Sequence, residues 1–161
     1  MVLGCRIIEN ETPHEAGLAL LAELYRQQTG QSMPSVHRTD RGKPYFDNSP
    51  IYFSISHTRR HAFVVLSDRP VGIDAEELDR TVNPKLADKI LSPGELVQFY
   101  AAPDQNRALL TFWVLKEAEA KCSGQGLRGY PNHTDFSLAD PRVFEQDGCI
   151  VAVIEEEHHA V

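Results

Sequence analysis

The segment Val71-Gly-Ile-Asp-Ala-Glu76 sets two carboxylates, Asp74 and Glu76, two residues apart. Residues two apart on a strand face one side, so these acids project together while Ile73 and Ala75 point the other way. Paired carboxylates repel unless a cation lies between them, and a hard divalent ion such as Mg²⁺ satisfies both through oxygen. The plainer alternative is a pair of solvated acids at a strand end, continued by Glu77 and Asp79. The segment Trp113-Val-Leu-Lys-Glu-Ala-Glu-Ala-Lys121 sets Glu117 and Lys121 four apart, on one helix face with Leu110 and Val114. A carboxylate that continues an apolar stripe needs a partner, either a metal or Lys121. Its plainer alternative is a surface Glu–Lys pair of little energetic weight.

Two further segments carry anion-binding chemistry. Phe53-Ser-Ile-Ser-His-Thr58 ends a strand in small hydroxyls and a histidine, groups suited to phosphate oxygens. Arg41-Gly-Lys-Pro44 is a rigid basic turn around Lys43. Taken singly, each also reads as an ordinary polar turn. The histidines show no metal-ligand spacing, and neither GxGxxG nor a Walker loop occurs.

These residues need a frame. Leu3 to Ile8 reads as a first strand. Thr12 and Pro13 open a helix that carries Ala16, Leu20, Leu21 and Leu24 at helical spacing and stops near Gly30. Residues 31–48 read mostly as loop. Ile51 to Ser56 and Ala62 to Leu66 form a hairpin around residues 57–61, and Val71 to Glu76 follows as a strand. Pro84 to Ile90 is helical, and Ser92 to Glu95 has capping-box spacing. A long helix spans about Asp104 to Cys122 and ends at Ser123-Gly124. Asp135 to Leu138, Arg142 to Glu145 and Cys149 to Glu155 read as strands, the last two joined at Gln146-Asp-Gly148. His158 and His159 read as exposed tail. The fold class expected is α+β with antiparallel sheets.

With 161 residues, 42% of them hydrophobic, the chain suits one globular domain that needs no staples. Sixteen Lys and Arg against 23 Asp and Glu give a net charge of −7, which argues against broad nucleic-acid binding. No apolar run approaches a membrane span, and Met1 to Arg6 shows no secretory leader. Cys5, Cys122 and Cys149 are odd in number and widely spaced, which fits a reducing cytoplasm.

In chain order the four segments read GKP, FSISHT, VGIDAE and WVLKEAEAK. This series closely resembles the 4′-phosphopantetheinyl transferases, in particular the type that activates surfactin synthetase. The match runs from about Arg41 to Lys121 and continues more weakly through Gly124 to Leu127 and Asp135 to Leu138. The resemblance implies transfer of the phosphopantetheine arm of coenzyme A to a serine of an acyl, peptidyl or polyketide carrier protein, with release of 3′,5′-ADP. It implies Asp74, Glu76 and Glu117 as Mg²⁺ ligands, with Lys121 against the pyrophosphate of coenzyme A. It also implies Ser56 and His57 on phosphate oxygens and Lys43 near the adenosine end. Glu117 is the natural base toward the carrier serine, and Lys116 is expected to pair with a carboxylate. Glu95 falls where this family often has a glutamate. The implied fold is two similar subdomains, 1–70 and 71–161, each a long helix on a small antiparallel sheet with the site between. Both motif sets occur in one chain, so a monomer is expected.

The chain also departs from that family. It is shorter than the usual two-half members, and the difference lies mostly before Lys43, where basic residues normally hold the 3′-phosphate. Here residues 9–14 are acidic, leaving His14, Arg38 and Arg41 as nearby cations. Each charge-assisted bond lost weakens coenzyme A binding by about 1.5–3 kcal/mol. Docking an acidic carrier protein calls for a basic patch, for which Arg59, Arg60 and Arg107 are candidates. Two other functions compete: a shortened non-catalytic relative that binds coenzyme A or a carrier protein, and a Mg²⁺-dependent hydrolase of a similar pyrophosphate.

Overall fold

The computed structural model describes residues 1–126 and 134–157. Leu127, His158 and His159 lie outside them. Strand β1 (Val2–Ile7) leads to helix α1 (Pro13–Thr29), and a small hairpin, β2 (Val36–Arg38) and β3 (Pro44–Phe46), follows. Strands β4 (Tyr52–His57) and β5 (His61–Ser67) complete an antiparallel sheet of order β1-β5-β4. Strand β6 (Val71–Glu77) opens the second sheet. After a 3₁₀ turn at Pro84–Leu86 come helices α2 (Ala87–Ile90), α3 (Pro93–Ala101) and α4 (Gln105–Ser123). Strands β7 (Val143–Gln146) and β8 (Cys149–Glu155) then pair with β6 in the antiparallel order β6-β8-β7. This is the α+β class expected from sequence.

Two expectations are corrected. The β2–β3 hairpin interrupts the stretch read as loop, its register set by Val36 opposite Phe46, with Phe46 buried. Residues Asp135 to Leu138 form no strand. Their backbone is held by side chains instead: Phe136 N–H donates to Glu95 at 3.0 Å, and Gln98 binds Phe136 O and Leu138 N. An alternating polar and apolar segment cannot reveal that a side chain, and not a neighbouring strand, satisfies its backbone.

The helix ends follow local chemistry. Thr12 accepts from Glu15 N, and the Glu15 carboxylate accepts from Thr12 N, a full capping box with Pro13 in the first turn. Asp104 caps α4 by accepting from Arg107 N. Both long helices close on a left-handed glycine, Gly30 and Gly124, each at φ 71°.

Alternation along the central strands orders the layers. In β5, Val64 and Leu66 pack with α1, while Phe63 and Val65 pack against the second sheet. In β8, Val151 and Val153 meet the first sheet, and Ile150, Ala152 and Ile154 meet α4. The order is helix, sheet, sheet, helix. Among the described residues no helix is long and apolar enough to cross a membrane.

Candidate active site

The site begins where the two sheets meet edge to edge. Strands β4 and β6 share no backbone ladder; serine hydroxyls bridge them. Ser54 Oγ accepts from Ile73 N at 3.1 Å, and Ser56 Oγ accepts from Ala75 N at 3.1 Å. Each step advances two residues on both strands, so β4 and β6 run parallel across this seam. The unladdered carbonyls of Ile55 and Ile73 are left as acceptors. Lys121 Nζ reaches in from α4 and donates to Ile73 O at 2.9 Å, Ile55 O at 3.4 Å and Asp74 Oδ1 at 2.9 Å.

On β6, Val71, Ile73 and Ala75 join the core between the sheets, so Asp74 and Glu76 take the opposite face. That face meets α4 because position 72 is glycine. A Cβ there would stand 1.9 Å from Ala118 O and 2.5 Å from Cys122 N. The helix backbone therefore lies directly on the strand, which brings Glu117 and Lys121 over Asp74.

Asp74 is 7% exposed. Its Oδ1 accepts from Lys121 and, at 3.3 Å, from Ser56 Oγ, whereas its Oδ2 is buried without a hydrogen-bond partner. Burial pushes its pKa up, and the Lys121 charge pulls the other way. Glu117 is pushed up to about 7, first by burial and then by the negative charge of Asp74, with Glu76 adding to it. Glu76 itself lies 2.6 Å from Arg80. Three carboxylates thus share one negative field, and one of them presents an unpaired buried oxygen. This all-oxygen donor set suits a hard divalent cation. Among the described residues no three His, Cys, Asp or Glu side chains already converge as a cation cage, since Lys121 and Arg80 engage Asp74 and Glu76.

A cleft of about 550 Å³ opens beside this seam, within the range of small-molecule sites. Glu117 and Lys121 line it from α4, and His57 and Ser54 line it from β4. His14, Arg38, Arg41 and Lys43 contribute cationic groups from α1 and the β2–β3 hairpin. Lys43 is half-buried, and its Nζ donates to Cys122 O near the end of α4; burial lowers its pKa. Ser56 is placed differently from His57. It is 4% exposed, and its hydroxyl is engaged by Asp74 and Ala75 N. The spacing of Ser54 and Ser56 carries the same period-two information as Asp74 and Glu76. Nothing local in sequence indicates that the serines face β6, or that Arg80 reaches Glu76.

Lys116 faces away from this chemistry. It pairs with Glu95 at 2.8 Å, with side chains 2% and 0% exposed, in agreement with the carboxylate partner expected from sequence. Glu95 also completes the capping box of α3 with Ser92. The basic patch is corrected. Arg59 and Arg60 bind Glu77, Arg60 also binds Asp79, and Arg107 binds Glu145. These carboxylates neutralise the three arginines, so this trio is not a free cationic patch for steering an acidic partner.

Comparisons with known proteins point to one family. The sequence model of the 4′-phosphopantetheinyl transferase superfamily matches residues 70–157, which hold β6, α4 and β8. A provisionally named 4′-phosphopantetheinyl transferase of Haemophilus influenzae is 33% identical over 109 residues, 65% of this chain and 46% of its own length. The 4′-phosphopantetheinyl transferase gsp of Aneurinibacillus migulanus is 30% identical over 92 residues, 56% of this chain and 38% of its own. The 4′-phosphopantetheinyl transferase of Bacillus subtilis is 34% identical over 89 residues, 53% of this chain and 39% of its own. The chain thus spans less than half the length of these relatives. With more than half of its residues matched, the chain belongs to the 4′-phosphopantetheinyl transferase superfamily.

Proposed function

We propose that the chain transfers the 4′-phosphopantetheine arm of coenzyme A to a serine of a carrier protein, with Mg²⁺, and releases 3′,5′-ADP. The observation that carries this reading is the unpartnered, buried Oδ2 of Asp74, set beside Lys121 in the negative field of Glu76 and Glu117. Asp74, Glu76 and Glu117 would hold the cation. When bound, it offsets the charge that develops on the bridging phosphate oxygen.

The remaining roles belong to the chain's own groups. Lys121 is anchored by Ile73 O and Asp74, and its longest contact, to Ile55 O, is the one a pyrophosphate oxygen replaces. From there its ammonium stabilises or protonates the departing ADP. Ser56 holds the Asp74 carboxylate from behind. His57 meets phosphate oxygens from the cleft wall. Lys43, Arg38, Arg41 and His14 serve the phosphorylated adenosine end. Glu117 lines the cleft beside Lys121 and is the group placed to accept the proton of the carrier serine. One chain supplies both the acidic and the cationic walls, so the site works as a monomer. The reaction is placed in the cytoplasm, in keeping with the free thiols of Cys5, Cys122 and Cys149.

The test is intact-mass spectrometry of an apo acyl carrier protein incubated with this protein, coenzyme A and Mg²⁺. The expected result is a gain of one phosphopantetheine that EDTA abolishes. No gain on fatty-acid, polyketide or peptidyl carriers, with coenzyme A still bound, overturns transfer and marks a shortened binder. Release of 3′,5′-ADP without any carrier marks a hydrolase.

A further inference from the structure

Among the described residues, Arg80 is the cation that contacts the carboxylate group from outside the cleft. Its guanidinium lies 2.6 Å from Glu76 Oε1. It is not a wandering surface side chain. Asn106, in the first turn of α4, donates to Arg80 O at 2.8 Å and accepts from Val82 N at 2.8 Å, while Arg80 N donates to Glu77 O. The helix that carries Glu117 and Lys121 therefore also fixes the backbone from which Arg80 reaches Glu76. The Arg80 side chain is 52% exposed and that of Glu76 18%, so the guanidinium can return to water at little cost while the carboxylate stays at the site.

We infer that Arg80 is a built-in counter-ion for the proposed cation site: it neutralises Glu76 when no metal is present and yields that carboxylate to the metal. This rests on the reading of Asp74, Glu76 and Glu117 as cation ligands. A guanidinium and a divalent cation compete for the same carboxylate lone pairs. Arg80 thus lowers the repulsion among the three acids in the metal-free protein, and it weakens the first cation's affinity by the energy of the pair it must break. A half-exposed pair is worth up to about 1 kcal/mol, which converts to a factor of about five in affinity.

The test titrates metal-stripped protein with Mn²⁺ alone and reads free Mn²⁺ by electron paramagnetic resonance, without coenzyme A or turnover. Arg80→Gln is expected to bind Mn²⁺ about fivefold more tightly than the parent, and Arg80→Lys to stay within about twofold of it. The gap between Arg80→Gln and the parent is expected to narrow as salt rises, because the competing pair is exposed. Equal or weaker Mn²⁺ binding by Arg80→Gln overturns the counter-ion inference while leaving the three-carboxylate site standing. No Mn²⁺ bound by either protein overturns the ligand assignment beneath it. Circular dichroism melts of both variants show whether the Asn106-pinned turn survives the substitution.

Discussion

The N-terminal sheet with α1 and the C-terminal sheet with α4 are built alike and used differently. Each is a three-stranded antiparallel sheet under one long helix that closes on a left-handed glycine. In the first, a small strand residue meets helix side chains: a Cβ on Gly4 would lie 2.7 Å from Leu24 Cδ1. In the second, a Cβ on Gly72 would meet helix backbone, 1.9 Å from Ala118 O. The first helix buries an apolar face, whereas the second buries Lys116 and holds Glu117 and Lys121 against β6. The lesson is a division of labour by sign and by closeness. The half with the wider helix–strand spacing supplies Arg38, Arg41 and Lys43 to the cleft through its hairpin, and the tight half supplies the three carboxylates with Lys121 as their cation.

Replacing carboxylates of the tight half should have the largest effect. Asp74→Asn and Glu117→Gln are each expected to take carrier modification below detection in the mass assay, with folded circular dichroism spectra. Arg38→Ala and Arg41→Ala, on the loose side, should raise the KM for coenzyme A with little change in kcat. A loss of kcat in the arginine variants would erase the division.

Lys116→Met comes next, because it leaves Glu95 buried without its cation; a loss of about 3–5 kcal/mol is expected in urea unfolding. Adding Glu95→Gln should recover a large part of it. An additive second loss would mean that Glu95 matters through the α3 cap and residues 135–138 more than through the pair.

The two glycines test closeness directly. Gly72→Ala should cost about 3 kcal/mol, because helix backbone must move, and Gly4→Ala about 1 kcal/mol or less, because Leu24 can rotate. Thermal melts that rank them the other way would contradict the packing difference.

Two acids should give pH slopes of opposite sign. Hydrogen bonds from Arg60, and the charges of Arg60 and Arg59, hold the Glu77 carboxyl below its usual range. The folded state thus binds that proton less readily than the unfolded chain. The stabilisation is complete above the ordinary carboxylate pKa and fades as pH falls through it toward the lower folded value. Glu117 is raised from 4.5 to about 7, so the folded state keeps its proton longer, and stability falls as pH rises between those values. Glu77→Gln should flatten the acid limb of a Tm–pH curve in EDTA, and Glu117→Gln the decline toward neutrality. The same slope change from both would break the assignment.

What was legible in sequence was local or periodic. Thr12 with Pro13, Ser92 with Glu95, Asp104, Gly30 and Gly124 mark helix ends through contacts within a few residues. Period two put Asp74 and Glu76 on one face, and Lys116 was expected to find a carboxylate. What was not legible depends on which distant groups meet. Ser54 and Ser56 bridge to β6 across 19 residues of chain, and Arg59, Arg60 and Arg107 find acids up to 38 residues away. Residues 135–138 alternate polar and apolar as a half-buried strand does, but their backbone bonds to the side chains of Glu95 and Gln98.

The hydroxyl-stitched seam has a further consequence. Two three-stranded sheets have four edges, and unpaired edges invite other chains to add a strand. By turning β4 and β6 toward each other, with Ser54 and Ser56 taking up amides of β6, the fold hides two of them. The outer strands are β1, six residues long and carrying Arg6, and β7, only four residues long and carrying Glu145. The junction that sets Lys121 over Asp74 thereby also protects the folded chain against fibrillar self-association.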